Sequence, residues 1–137
     1  MYRIVSIPID RDDLDQVIRQ GDGGVATFLG IVRPIAQDGR EVCALWYEAY
    51  ETMALEEFAT IAVEARERFG DVRIAIVHRV GQVAAGEISV AVLAAAAHRD
   101  VAFEACRYAI DQLKHRAPIW KKELYTGGGG DWRSTSA

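Results

Sequence analysis

The chain holds only two cysteines, three prolines and three lysines among 137 residues, and no long apolar run. Cys43 and Cys106 lie far apart with no CxxC and no adjacent histidine, which speaks against a disulfide scaffold and a zinc site. Both are expected to be small buried hydrophobes. A membrane helix needs about 18 or more apolar residues in a row. The longest candidate, Ile88 to Ala97, is roughly half that and contains Ser89. The N-terminus, MYRIVSIPIDRDD, lacks a basic region followed by an apolar stretch and a cleavage site, so a cytoplasmic chain with no membrane contact is expected. The GxSxG, Walker A, GxGxxG and HExxH signatures are missing. His78, His98 and His115 fall on different elements, and no metal site is expected. Glu48, Glu51, Glu56 and Glu57 read as helix surface rather than as a glycosidase carboxylate pair.

What is present fits one soluble globular domain: 50% hydrophobic residues and 26% charged. The net charge of −4 gives the whole chain no attraction for nucleic acid or anionic membrane. Its distribution is uneven. Residues 1–97 carry nine basic and 15 acidic groups, whereas 98–122 carry six basic and three acidic, with His98 and His115 besides. An acidic body with one basic segment points to a site for a small anion. The 13 arginines are spread through the chain, but Lys114, Lys121 and Lys122 fall within nine residues. An Arg-favouring genome accounts for the rarity of lysine and not for its clustering. Arginine stays protonated, whereas a crowded or desolvated lysine can lose its proton and act as nucleophile or acid/base.

Residue patterns predict strands at Tyr2–Ile7, Val25–Val32, Val42–Tyr50, Val72–Val77 and Glu87–Ala97, and a short extended piece at Ile119-Trp120. A short helix follows Asp10, with Leu14, Val17 and Ile18 inward. Glu51–Phe69 is the clearest helix, with Ala54, Phe58, Ile61, Ala65 and Phe69 along one face. Arg99–His115 is the last, turning Ala102, Cys106, Ala109, Ile110 and Leu113 inward until Pro118 breaks it. The QDGR turn at 37–40 predicts a hairpin joining the second and third strands. The order β-α-β-β-α-β-β-α-β favours an α+β fold with mixed, largely antiparallel sheet and about three helices. A single domain is expected over 1–126. The GGGG of 127–130 and the polar STSA end read as a flexible loop and tail over 127–137.

Basic residues gather at element ends. Arg33 closes a strand before Pro34, and His98-Arg99 opens the last helix. Lys114 and Arg116 end that helix, and Lys121-Lys122 follow the Pro118 break. Taken alone, Lys114 is as well explained as a partner of the helix dipole, and His98 as a structural strand end. Together they describe an oxyanion-binding cleft with at least one reactive amine.

Five segments, VATFLGIVRP (25–34), LWYEAYETMA (45–54), IVHRVGQVAAGEISVAV (76–92), AHRDVAFEA (97–105) and IDQLKHRAPIWKKE (110–123), closely resemble the catalytic, large subunit family of molybdopterin synthase. The likeness runs in order from about residue 22 to 132, and LK-x-RAPIWKKE with AHR-x-x-AF is its most specific part. It implies an α/β hammerhead-type fold and a homodimer within a heterotetramer. Each end of that dimer receives a small ubiquitin-like sulfur carrier whose C-terminal Gly-Gly ends as a thiocarboxylate. The implied reaction is sulfur transfer onto cyclic pyranopterin monophosphate, once from each of two carriers, forming the dithiolene of molybdopterin without a resident cofactor.

By the same resemblance Lys114 matches the principal catalytic lysine and Lys121 the second. Arg33 matches a substrate-anion ligand, with Ile31 and Val32 beside it. His98 and Arg99 match a pair that reaches the site from the other subunit. Phe28 matches an aromatic near the pocket, and Lys122 and Glu123 flank the second lysine. Three departures stand out: AAAAHR where a more polar stretch is usual, Ile110 where a Met can occur, and GGGG before Asp131-Trp132. Crowding by Lys121 and Arg116 predicts a lowered Lys114 pKa. Two other readings compete. A non-catalytic adaptor for a ubiquitin-like tail would be expected to have lost a lysine or the HR pair. A general phosphate-binding enzyme lacks its Gly-rich loop.

Overall fold

The Val- and Ala-rich stretch after Gly86 has no polar face, so it suits a strand covered on both sides. The computed structural model describes residues 1–133, and this stretch is strand β6 (Ile88–Ala96). It lies inside a sheet ordered β1 (Tyr2–Val5), β4 (Val72–Arg79), β6, β2 (Gly24–Ile31). β1 runs parallel to β4, and the other pairings are antiparallel. Alternate residues serve two cores. Val90, Val92, Ala94 and Ala96 join Ile74 and Ile76 against helices α1 (Glu51–Phe69) and α2 (Arg99–Arg116). Ala91, Leu93 and Ala95 join Ala75 and Val77 beneath Leu14. Each buried Val or Leu contributes about 1.5–3 kcal/mol.

Both helices bury the stripes their spacing predicts: Ala54, Phe58, Ile61 and Ala65 on α1, and Ala102, Cys106, Ala109, Ile110 and Leu113 on α2. Phe69, at the end of α1, is only partly buried. A second sheet is ordered β5 (Gly81–Ala84), β3 (Val42–Ala49), β7 (Ile119–Tyr125), β8 (Gly130–Arg133), antiparallel throughout. The fold is α+β, as the sequence predicts.

Several expectations are corrected. The helix after Asp10 is a 3-10 helix, Arg11–Val17, in which Leu14 alone is buried. The Leu14–Val17 spacing of three suits that tighter turn. The hairpin between the second and third strands does not form: β2 pairs with β6, and β3 with β5 and β7. Pro34 has no N–H for a ladder, and the end of β2 is held elsewhere. Val32 N–H donates to Glu87 O at 3.0 Å and Gly86 N–H to Val32 O at 2.8 Å. Only an Ile35–Glu41 bridge remains of the hairpin, and the chain there crosses between sheets.

The C-terminal end is also more ordered than its composition predicts. Gly128 and Gly129 take φ of +98° and +79°, a conformation open to glycine, and return the chain as β8. The run of glycines thus forms the turn between β7 and β8, and residues 134–137 of the expected tail lie outside the described residues. Cys106 is buried, but Cys43 is exposed on β3, its Sγ 3.4 Å from Leu124 O.

Candidate active site

Pro118 cannot continue α2, so the chain leaves the helix and restarts as β7 three residues after Arg116. Lys114, in the last turn of α2, and Lys121, on β7, are thereby brought into one cleft. The end of β2 supplies Gly30 and Ile31, and the segment after it Val32, Arg33 and Ile35; Leu45 and Tyr47 come from β3, and Ser89 and Glu123 complete the lining. The cleft holds a volume of about 120 Å³. Among the described residues no set of three His, Cys, Asp or Glu side chains is placed to hold a metal ion.

Strand alternation decides which of the adjacent charged residues enter. Lys121 and Glu123 share a face and stand opposite Tyr47 and Leu45 of β3. Lys122 falls on the other face, opposite Trp46, with its Nζ 6.0 Å from the centre of the Trp132 ring. Phe28 lies further back on β2, 37% exposed and outside the cleft lining. Val32 is buried, so its side chain belongs to the core while Ile31 and Arg33 are exposed beside it.

Both cleft lysines are held below the usual ammonium range. Burial is the larger cause for Lys114, followed by the Arg33 guanidinium. For Lys121 burial again leads, then the charge of Lys114, with Glu123 opposing and Arg33 adding. The lowered Lys114 follows the sequence expectation, but the cause differs. Arg116 is turned away to α1, where its Nη1 meets Glu64 Oε1 at 2.6 Å and its Nε donates to Glu57 Oε1 at 2.7 Å.

Beneath Lys114 a small cavity is lined by Tyr47, His78, Leu113, Ala117 and Ile119. His78 Nδ1 lies 2.8 Å from Arg79 O, which can only accept, so the proton sits on Nδ1. Burial, with a smaller contribution from Lys114, pushes His78 down to about 4, and the ring stays neutral. Tyr47 packs edge-on against it, centroids 4.9 Å apart. Burial raises the Tyr47 phenol, and the Ser89 hydroxyl partly offsets this. Tyr47, His78 and Ser89 escaped the sequence reading. The available signal was a polar group at an inward position of a buried strand.

His98 and Arg99 lie elsewhere. They line a separate hollow with Gly23, Ala97 and Asp100 at the start of α2. Arg99 is fifteen residues before Lys114 on that helix, about 22 Å along its axis.

Comparison with known proteins gives one answer. The MoaE protein family model matches residues 4–116. The molybdopterin synthase catalytic subunit of Thermoplasma volcanium is 43% identical over 121 residues, 88% of each chain. The crystal structure of molybdopterin synthase from Staphylococcus aureus superposes with a TM-score of 0.89 at 35% identity, covering 95% of this chain and 94% of that one. A Helicobacter pylori complex of subunits 1 and 2 of molybdopterin-converting factor shares the fold, with a TM-score of 0.78 at 24% identity over 96% and 88% of the two chains. With the family model spanning most of its length and close relatives along nearly all of it, the chain belongs to the MoaE family of molybdopterin synthase catalytic subunits.

Proposed function

We propose that this chain converts cyclic pyranopterin monophosphate to molybdopterin, taking sulfur from the C-terminal thiocarboxylate of a small ubiquitin-like partner. The observation that carries the reading is the convergence of two desolvated lysines, Lys114 and Lys121, with Arg33 in one cleft. A cyclic phosphate and a thiocarboxylate are both anions, and sulfur transfer passes through oxyanionic intermediates. Arg33 offers a permanent charge for binding. Lys114 and Lys121, with proton affinity lowered by burial and neighbouring cations, give up a proton more readily than an ordinary lysine and can then exchange it or attack as neutral amines, which a guanidinium cannot. Losing one well-placed donor to such an intermediate costs about 3–4 kcal/mol of transition-state stabilisation.

The partner and dimer belong to the same proposal. The carrier's Gly-Gly tail would enter the cleft, which is open to solvent and positively charged. His98 and Arg99 would act in the cleft of a second copy, since about 22 Å of helix separates them from their own Lys114. Glu123 would border the bound substrate rather than react with it, and Phe28 and Lys122, which lie outside the cleft lining, would at most meet the carrier beyond it.

Reconstitution tests the reading. Purified chain is mixed with cyclic pyranopterin monophosphate and a thiocarboxylated carrier, and the pterin product is read by fluorescence after oxidation. Product that disappears with Lys114→Ala is expected. Product that survives would move the chemistry to Lys121 or elsewhere, and no product with a validated carrier would favour an adaptor.

A further inference from the structure

Lys121 of β7 and Arg133 of β8 stand directly opposite one another, two cations at one rung of the ladder. Like charges so placed repel. The compensation is diagonal: Arg133 Nε donates to Glu123 Oε1 at 2.5 Å, and its Nη2 donates to the Tyr125 hydroxyl at 3.2 Å. That hydroxyl lies 3.2 Å from Glu123 Oε1 and 3.0 Å from Asp131 Oδ2. Asp131 in turn accepts from Arg40 Nη2 at 2.8 Å, and the Arg40 guanidinium covers the Tyr125 ring. Glu123 is therefore gripped from the β8 side, although it lines the cleft together with Lys121. Among the described residues Lys121 makes no ion pair.

We propose that Arg133 is a positioning residue for Lys121, holding the Glu123 carboxylate on the β8 side so that it does not close onto the lysine amine as an ion pair. The proposal rests on the reading of Lys121 as a working amine of the sulfur-transfer site. Five groups face Lys121: Lys114 from α2, Arg33 from the segment after β2, Tyr47 from β3, Arg133 from β8 and Glu123 from β7 itself. Glu123 is the one carboxylate among them. Residues 121 and 123 point to the same side of the strand, so a released Glu123 can turn toward Lys121 with no backbone change. Losing Arg133 thus frees an anion beside Lys121, and that change favours the ammonium over the neutral amine.

Lysine titration followed by NMR at 13Cε tests this without substrate. The chain has only three lysines, so Lys→Arg variants assign every signal. Arg133→Gln is expected to move the Lys121 titration to higher pH, and Arg133→Lys, which keeps the cation, to leave it in place. The double variant Arg133→Gln/Glu123→Gln should lose the upward move, although it breaks the same ion pair. An unmoved Lys121 in Arg133→Gln would overturn the proposal. So would an equal move in the double variant, because the cause would then be structural. An amide correlation spectrum reports whether β8 stays folded, and the double variant remains informative if the single one does not. In the reconstituted reaction the turnover–pH profile of Arg133→Gln should move to higher pH by the same amount; a profile that stays put would overturn the role in catalysis. Wild-type chain without turnover would fell the sulfur-transfer reading and leave the titration to be judged by itself.

Discussion

Arg99 and Lys114 stand at opposite ends of α2, about 22 Å apart along its axis, so one chain cannot bring both to the same small anion. If the proposed site draws Arg99 from a second copy, two inactive variants should repair one another. Arg99→Ala mixed with Lys114→Ala, unfolded and refolded together, forms mixed dimers in which one of two sites is complete. Random pairing then restores about a quarter of wild-type turnover. No recovery, with mixed dimers verified by mass, would place Arg99 outside the site.

Lys114→Arg separates charge from proton transfer. Guanidinium keeps the positive charge near Arg33 but does not deprotonate near neutral pH. Substrate binding by calorimetry is expected to persist while turnover falls by about 100-fold or more. Retained turnover would show that charge alone suffices.

Gly24 lies against the start of α2. An added Cβ would come within 2.8 Å of Arg99 Cα and 2.9 Å of Arg99 N, both backbone atoms that cannot rotate away. Gly24→Ala is expected to destabilise the chain by about 1–3 kcal/mol and to displace the His98–Arg99 turn. Urea denaturation reads the first effect. An unchanged midpoint would mean that the helix end yields freely.

His78 should make the fold acid-sensitive. Its folded pKa of about 4 lies below its usual 6.5, so the unfolded chain takes up the proton first. Its stabilising effect is full above pH 6.5 and is lost as pH falls toward 4, by a few kcal/mol in order of magnitude. His78→Phe removes the titration and should flatten the dependence of the urea midpoint on pH across that window. An unaltered slope would assign the acid sensitivity to other groups.

Arg116 is predicted to matter for stability and not for chemistry. Arg116, and after it the Tyr108 hydroxyl, hold Glu64 down to about 2 from its usual 4.5. The link between helices is present above pH 4.5 and is lost as pH falls toward 2. Arg116→Gln should lower the melting temperature at neutral pH, with the difference fading in acid. Turnover below the melting range should hold. A large loss of turnover in a folded variant would return Arg116 to the cleft.

Much of this protein was legible in its residues because local rules act over short spans. The steps of four, three and four on α1, and the strand-like Val/Ala run at β6, define elements with one inward stripe or two inward faces. Lys114, Lys121 and Arg33 stood out by residue type and by their places at element ends, and the family likeness rested on the same segments. What the sequence could not convey depended on which distant segments meet. β2 takes β6 as its partner rather than its neighbour β3, because Pro34 interrupts the ladder and the β5–β6 turn holds Val32. Four glycines that read as a flexible loop form a turn into β8, where Arg133 and Asp131 find Glu123 and Arg40. Lys122 lies beside Lys121 in sequence and on the opposite face in the sheet, a matter of strand parity that a start two residues long could not reveal. The residue pattern by itself determined an α+β chain whose three lysines fall within one short stretch. Tertiary structure alone decided that burial and Arg33, not Arg116, lower the proton affinity of Lys114, because burial and charge act across space and not along the chain.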